Sequence, residues 1–94
     1  MKVRWTGSAR LDRLDIMNRI AADSPQAAVR MDVLFTEAAE TLATFPHKGR
    51  VGKIAGTREL IPHESYRLVY EIAEDGVWVL ALVLTSRQWP AERP

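Results

Sequence analysis

Basic side chains that could bind phosphate are concentrated in one stretch of the 94-residue chain, from Gly49 to Tyr70. Residues 46–67 hold five lysines and arginines against two glutamates, a formal charge of +3. Residues 1–45 balance to zero, and residues 68–94 carry −2. Guanidinium groups hold phosphate through paired hydrogen bonds, and lysine adds a mobile point charge. We therefore expect the working surface of the protein beside this stretch.

Three arginines, Arg58, Arg67 and Arg87, fall on neighbouring predicted strands. If Arg67 lies on the strand face opposite Tyr66 and Leu68, the three guanidinium groups converge on one concave patch. Such a patch could hold a phosphate group through bidentate hydrogen bonds. The patch would be extended by three cations on a flanking loop: Lys48, Arg50 and Lys53.

The alternative interpretation of these charges is structural. In that case Arg58 pairs with Glu71 or Glu59 across the sheet, and the loop cations are simply solvated. Neither interpretation requires a metal or a cofactor, and none is expected. His47 and His63 lie beside prolines and are interpreted as surface or turn residues. No nucleophile elbow, P-loop or HExxH helix is present in the sequence.

The bulk composition fits one globular domain covering residues 1–94, with 47% hydrophobic and 27% charged residues. There is no cysteine, which excludes disulfides and thiolate chemistry and favours a cytoplasmic protein. The longest apolar run, Val77 to Leu84, has eight residues, whereas a membrane-spanning helix needs roughly 20. We expect no membrane partner.

The N-terminal half is predicted to form a strand and a helical hairpin. Val3 and Trp5 alternate in a short strand, and a first helix ends near Asp23. Its predicted apolar stripe is Leu11, Leu14, Met17 and either Ile20 or Ala21. Ser24-Pro25 is a helix start, with serine as N-cap and proline at the first helical position. The second helix should run to about Phe45, and its predicted apolar stripe is Met31, Leu34, Phe35, Ala38, Leu42 and Phe45. Val29 and Val33 fall outside this stripe, where they could give the helix an apolar outer face.

The C-terminal half is predicted to form three strands after an irregular basic loop. The first, Thr57 to Ile61, should stop at Pro62, and the second spans Tyr66 to Ile72. Asp75-Gly76 predicts a type I′ hairpin turn. The apolar run from Val77 predicts a central strand with Trp78 in the core. Trp89 either caps the core or is exposed to a partner.

The resulting element order is β-α-α-β-β-β. It predicts an α+β domain in which a helical hairpin packs on a small, mainly antiparallel sheet. Periodicity does not determine where the first strand joins that sheet.

The order of motifs resembles the RelE/ParE superfamily, the toxins of type II toxin–antitoxin modules. The resemblance covers almost the whole chain. It rests on Val3-Arg4-Trp5-Thr6, Ser24-Pro25, Phe45-Pro46, Gly49-Arg50, Gly52, Gly56-Thr57-Arg58-Glu59-Leu60, Tyr66-Arg67-Leu68-Val69-Tyr70 and Arg87-Gln88-Trp89-Pro90. It implies the compact α+β toxin fold and a cognate antitoxin, which we expect to bind through an acidic amphipathic segment in a toxin–antitoxin hetero-oligomer.

The resemblance implies one of two activities. ParE-like members poison DNA gyrase, whereas RelE-like members cleave mRNA on the ribosome with a cluster of lysines and arginines. In a ribonuclease, Arg67 and Arg87 would match two catalytic arginines, and Arg58 would stand where a lysine is common. The binding surface would comprise Lys48, Arg50, Lys53, Arg58, Arg67, Arg87 and Trp89.

Departures from the ribonuclease pattern favour the ParE-like branch. Leu60 stands where a second catalytic lysine is expected, and the tail after Trp89 has neither tyrosine nor histidine. Thr85 in turn stands where many ParE-like relatives carry histidine. Arginine, with a pKa above about 12, is a poor general base. Gyrase inhibition without catalysis is the preferred interpretation, with a ribosome-dependent endonuclease and an inactive binding module as alternatives.

Overall fold

A computed structural model describes residues 1–90 of the chain. Residues 91–94, and with them the end of the predicted domain and of the tail, lie outside the described residues. The elements follow in the order β1 (Val3–Trp5), α1 (Gly7–Asp23), α2 (Pro25–Thr44), β2 (Arg50–Val51), β3 (Thr57–His63), β4 (Tyr66–Ala73) and β5 (Gly76–Leu84). The predicted order is confirmed, and the short strand β2 is added inside the loop that was expected to be irregular.

Both helices begin at capping residues that the sequence indicates. The Thr6 hydroxyl accepts a hydrogen bond from Ala9 N at 3.1 Å, and the Ser24 hydroxyl accepts one from Ala27 N at 3.1 Å. Pro25 follows at the first position of α2, where its missing N–H leaves no helical hydrogen bond unmade. Because Ser24 alone separates them, the two helices form the predicted antiparallel hairpin.

The sheet is mixed and has five strands in the order β1-β5-β4-β3-β2. Strand β1 pairs with β5 in parallel, while the other three pairings are antiparallel. The first strand therefore joins at the edge next to β5. Strand β4 occupies the centre of the sheet, which was predicted for β5.

The core lies between the helical hairpin and one face of the sheet. Its members include Phe35, Leu42, Leu68, Tyr70 and Val79, whose exposed fraction is zero. We call this the inner face of the sheet, and the opposite face the outer face.

Three residues that the helical pattern placed in the core are exposed instead: Leu11 at 67%, Leu14 at 54% and Phe45 at 64%. Helix α1 buries Ala9 and Ile16, and Leu14 lies about 200° around the helix from Ile16. The stripe predicted for α1 was therefore partly wrong.

Two bulges determine which side chains reach each face. In the β3–β4 pair the register shifts between Leu60 and His63, and β3 continues through Pro62 instead of stopping there. In the β4–β5 pair Leu80 has no partner opposite it. A single-residue shift moves every later side chain to the other face. Trp78 is therefore opposite Glu71 on the outer face, and its predicted core position is wrong.

The β4–β5 hairpin is confirmed, but its turn type is not the predicted one. Ala73 pairs with Gly76, so Glu74 and Asp75 form the loop. A type I′ turn needs positive φ at both loop residues, whereas positive φ is found only at glycines in the described chain. Gly76 has φ of 134°, and a Cβ there would lie 2.3 Å from Lys2 O. Within residues 1–90, no helix is long and apolar enough to cross a membrane.

Candidate functional site

The basic loop, defined as residues 45–56, is fixed to the core by one buried phenol. Tyr70 Oη accepts a hydrogen bond from Gly49 N at 2.9 Å and donates one to Pro46 O at 2.6 Å. The three predicted loop cations, Lys48, Arg50 and Lys53, are exposed. The fold therefore presents these cations on an anchored backbone.

Arg58 also holds the basic loop in place, through hydrogen bonds to the loop backbone. It pairs with Tyr70 across the β3–β4 ladder, so its side chain leaves from the inner face. Its Nη1 donates to Gly49 O at 2.7 Å and to His47 O at 3.4 Å. The alternative prediction, in which Arg58 pairs with Glu71 or Glu59, is therefore wrong. Arg58 donates to backbone carbonyls of the basic loop instead.

Arg67 lies on the outer face, as predicted, and is paired with a buried carboxylate. Its Nε is 3.2 Å from Glu59 Oε1, and the two side chains are 10% and 1% exposed. The same carboxylate is 3.4 Å from Arg50 Nη2 and accepts a hydrogen bond from Lys53 N at 3.1 Å. We call this group, Glu59 with Arg67, Arg50 and the Lys53 backbone, the Glu59 cluster.

The Arg67–Glu59 pair is a close ion contact with poor hydrogen-bond alignment. Neither Nε nor Nη1 of Arg67 makes a hydrogen bond to an atom of the described residues. Removing one partner of a buried ion pair leaves an uncompensated charge, at a cost of about 3–5 kcal/mol. Burial of the Arg67 charge therefore depends on the counter-charge of Glu59.

Gly52 allows the basic loop to close over the Glu59 carboxylate. A Cβ at position 52 would lie 2.4 Å from Thr57 Oγ1 and 3.2 Å from Glu59 Oε2. Gly52 N also donates to Thr57 O at 2.8 Å. The loop backbone thus comes into direct contact with the carboxylate and contributes to its burial.

Arg87 lies at a different place from the other two arginines. It follows β5 in a turn, with its N–H bonded to Leu84 O at 3.1 Å, and it lines a small cavity beside Asp12 and Asp15 of α1. The expected convergence of the three arginines is therefore wrong, because Arg58 and Arg67 leave from opposite faces of the sheet.

The remaining predicted site residues are split between exposed and partly buried positions. Trp89 is partly buried, and its Nε1 is inaccessible and makes no hydrogen bond to the described residues. Val29 and Val33 are 65% and 48% exposed, which confirms an apolar outer face on α2. The Nε1 of Trp89 is therefore not accessible to a binding partner, whereas the side chains of Val29 and Val33 are.

The histidines take no part in a catalytic or metal arrangement among residues 1–90. His63 Nδ1 accepts a hydrogen bond from Ser65 N at 3.1 Å inside the β3–β4 turn, and His47 is exposed on the basic loop. No group of three or more candidate metal-ligating side chains occurs in this part of the chain.

The arrangement can bind anions through the exposed cations of the basic loop, while Arg67 is already neutralised by Glu59. Sequence reasoning missed both organising residues, Tyr70 and Glu59. The role of Glu59 depends on the β3–β4 register, and the bulge next to Pro62 determines that register. Pro62, directly after the predicted strand, was the available signal, because proline in sheets concentrates at edges and bulges.

Comparisons with known proteins agree with this fold. The sequence model described as the ParE toxin of the type II toxin–antitoxin system parDE matches residues 3–89. The putative toxin Y4kP of Sinorhizobium fredii is 38% identical over 91 residues, 95% of this chain and 93% of that protein. Toxin RelE2 of Caulobacter vibrioides is 35% identical over 86 residues, 92% and 97% of the two chains.

Solved structures show the same fold at lower sequence identity. A chain of the chromosomal ParDE system from P. aeruginosa superposes with a TM-score of 0.78 at 18% identity, covering 89% of this chain and 95% of that one. A conserved hypothetical protein from Helicobacter pylori gives a TM-score of 0.57 at 19% identity, with 92% and 96% covered. Since the family model spans nearly the whole described chain, the protein belongs to the ParE toxin family of type II toxin–antitoxin systems.

Proposed function

We propose that this toxin arrests growth by inhibiting DNA gyrase in the cytoplasm, without cleaving RNA, and that a cognate antitoxin neutralises it. The observation that carries the proposal is the burial of Arg67 against Glu59, at 3.2 Å. A ribonuclease of the related type needs that arginine free to hold the scissile phosphate. Membership in the ParE family supports the same target.

The chemistry of RNA cleavage adds a second argument. Attack of a 2′-hydroxyl needs a group that accepts its proton and another that protonates the leaving oxygen. Arginine is protonated at any physiological pH. Leu60, at a position where a catalytic lysine would serve, is apolar and packs against the core. The side chains present therefore support binding better than acid–base catalysis.

Surface composition supports the antitoxin as an acidic amphipathic partner. Four exposed apolar side chains lie on or beside the basic loop, namely Phe45, Val51, Ile54 and Ile61. The loop cations stand among them. An acidic amphipathic segment would bury the apolar groups and pair with the cations, and we propose a toxin–antitoxin hetero-oligomer built in this way.

Supercoiling by purified gyrase tests the proposed target. The toxin should inhibit supercoiling and stabilise the cleaved-DNA complex, and equimolar antitoxin should reverse both effects. A matched protein sample heated past its unfolding transition serves as control. Full supercoiling activity with no cleaved complex, at toxin concentrations that arrest growth in cells, would exclude gyrase as the target.

A ribosome-dependent mRNA endonuclease is the second candidate. The observation that favours it is the similarity to a relative named toxin RelE2, together with the exposed position of Arg87. Primer extension on translated mRNA after toxin induction would reveal cuts at fixed codon positions. Such cuts, lost in Arg87→Ala, would establish this activity in place of gyrase inhibition.

A further inference from the structure

The Glu59 cluster has the donors of an anion-binding site, but a side chain of the protein fills it. Glu59 Oε1 lies 3.2 Å from Arg67 Nε and 3.4 Å from Arg50 Nη2, and Oε2 accepts a hydrogen bond from Lys53 N at 3.1 Å. Two guanidinium groups and a backbone N–H thus surround one pair of oxygens, as they would surround a carboxylate or phosphate ligand. Arg67 contributes its charge in a close ion contact, while Arg50 and Lys53 N contribute the hydrogen bonds.

We infer that Glu59 is an internal ligand: its carboxylate occupies this anion site and excludes nucleic-acid phosphate from Arg67. The inference deepens the proposed function. It rests on that proposal only for naming nucleic-acid phosphate as the ligand that is kept away from Arg67. The occupied site itself follows from the geometry of the cluster.

Burial makes the exclusion effective. Counted over the whole residue, Glu59 is 2% exposed and Arg67 is 9% exposed, although both lie on the outer face of the sheet, away from the helices. The closing contact is the Gly52 backbone, bonded to Thr57 O at 2.8 Å. A phosphate on a nucleic-acid chain would have to displace the Glu59 carboxylate before reaching the buried Nε of Arg67.

Charge acts in the same direction. An incoming phosphate near Arg67 would lie beside the negative charge of Glu59, and like charges at short range repel strongly where water is excluded. Arg50, by contrast, is 59% exposed and keeps most of its surface in solvent. External anions are therefore directed to the rim of the basic loop and away from Arg67.

Truncation of Glu59 should empty the site. Glu59→Ala removes a CH₂–COO⁻ group, which has the size and charge of acetate. The thermal midpoint of this variant should fall in chloride buffer, because Arg67 loses its counter-ion. Replacing chloride by acetate or inorganic phosphate at constant ionic strength should then raise the midpoint by several degrees, since a ligand that binds only the folded state stabilises it.

The controls isolate the site from general salt effects. Wild type and Glu71→Ala, which removes a carboxylate on the same face outside the cluster, should show no acetate-specific rise. The double variant Glu59→Ala/Arg67→Gln should also show none. If Glu59→Ala is unfolded in chloride, recovery of its circular dichroism spectrum on adding acetate supports the inference equally. Absence of any acetate effect on Glu59→Ala, folded or unfolded, overturns it.

A binding measurement with a short single-stranded RNA tests the exclusion in the native chain. Arg67→Gln should leave RNA affinity within twofold of wild type, whereas Arg50→Gln should lower it severalfold. A severalfold loss on Arg67→Gln, with the spectrum of the folded protein retained, overturns the inference. Neither measurement involves gyrase, so failure of gyrase inhibition would leave both results standing.

Discussion

Tyr70 and Gly49 are joined by a buried hydrogen bond of 2.9 Å, from the glycine N–H to the phenol oxygen. The same phenol donates to Pro46 O at 2.6 Å. A single core side chain thus satisfies two backbone groups of the basic loop and determines where its cations lie. Since Tyr70 is fully buried, a substitution at Tyr70 or Gly49 should affect both the packing of the core and the position of the basic loop.

Tyr70→Phe should destabilise the protein by about 1–3 kcal/mol, because it leaves the Gly49 N–H and the Pro46 carbonyl without their partner. Urea unfolding at equilibrium measures the change. Tyr66→Phe is the matched control, since its ring packs on Phe35 and its hydroxyl makes no hydrogen bond to residues 1–90. Equal losses in the two variants would mean that the two hydrogen bonds of the Tyr70 hydroxyl add nothing beyond the general effect of removing a tyrosine hydroxyl.

Gly49→Ala should destabilise the protein by about 1–3 kcal/mol through overpacking. The new Cβ would lie 2.7 Å from Tyr70 Oη and 2.8 Å from Glu59 O, so the loop must move. Gly7→Ala is the control, because its Cβ would meet no atom within 4 Å. A free energy of unfolding that is unchanged in Gly49→Ala would show that the loop relaxes freely and is not held by Tyr70.

Local signals in the sequence were sufficient for the element order and for the helical hairpin. Ser24-Pro25 and the alternation around Tyr66–Ile72 depend only on neighbours along the chain, and both are found in the structure. The fold class followed from these signals, because a helical hairpin and a hairpin of strands have few ways to pack.

The positions of individual side chains could not be read in the same way, because they depend on register. If the pairing of His63 with Tyr66 continued without a bulge, Arg58 would lie opposite Glu71. The observed shift places Arg58 opposite Tyr70 instead, and it moves Glu59 to the outer face, beside Arg67. One extra residue near a proline thus decides whether Arg58 or Glu59 shares the outer face with Arg67.

Acid should remove one contribution to stability through Asp75. A hydrogen bond from Trp78 Nε1 holds the pKa of the Asp75 carboxyl below its ordinary value of 3.8. Desolvation opposes this shift, and the charge of Arg4 adds to it. A depressed pKa means that this contribution is present above pH 3.8 and is lost as the pH falls below that value.

The measurement compares wild type with Asp75→Asn. The thermal midpoint of wild type should be the higher near neutral pH, and the difference should shrink as the pH is lowered through 3.8. Glu74→Gln, which changes the neighbouring carboxylate of the same turn, should show a smaller difference. A difference between wild type and Asp75→Asn that does not change with pH would contradict this assignment.

Arg13 should stabilise the helical hairpin more than any exposed ion pair on α1. Its Nε is 2.8 Å from Asp32 Oδ1, its Nη2 donates to Asp32 O at 2.9 Å, and its guanidinium lies 4.7 Å from the centre of the Trp5 ring. Arg13→Ala should cost about 1.5–3 kcal/mol, the range for hydrogen bonds to charged groups. Arg19→Ala, which breaks an exposed i,i+4 pair with Asp15, should cost only about 0.3–0.5 kcal/mol. Urea unfolding of both variants checks the ranking, which equal costs would refute.

The apolar side chains around the basic loop should contribute to antitoxin affinity and not to folding. Phe45 is 64% exposed and Ile61 46% exposed, so Phe45→Ser and Ile61→Ser should leave the thermal midpoint nearly unchanged. If the antitoxin covers them, each change should weaken binding about tenfold or more, since burying such a side chain gives about 1.5–3 kcal/mol.

Titration of the purified antitoxin by calorimetry, at low and high salt, measures both parts of this prediction. Leu11→Ser is the control, because Leu11 is equally exposed at 67% but lies on α1. Added salt should weaken binding of wild type and should weaken it less in Lys48→Gln, which removes one of the cations that salt screens. If Leu11→Ser weakens binding as much as Phe45→Ser does, the antitoxin also covers the helical hairpin. If Leu11→Ser alone weakens it, the basic loop is not the binding surface, because its exposed apolar and cationic side chains would then make no contact with the partner.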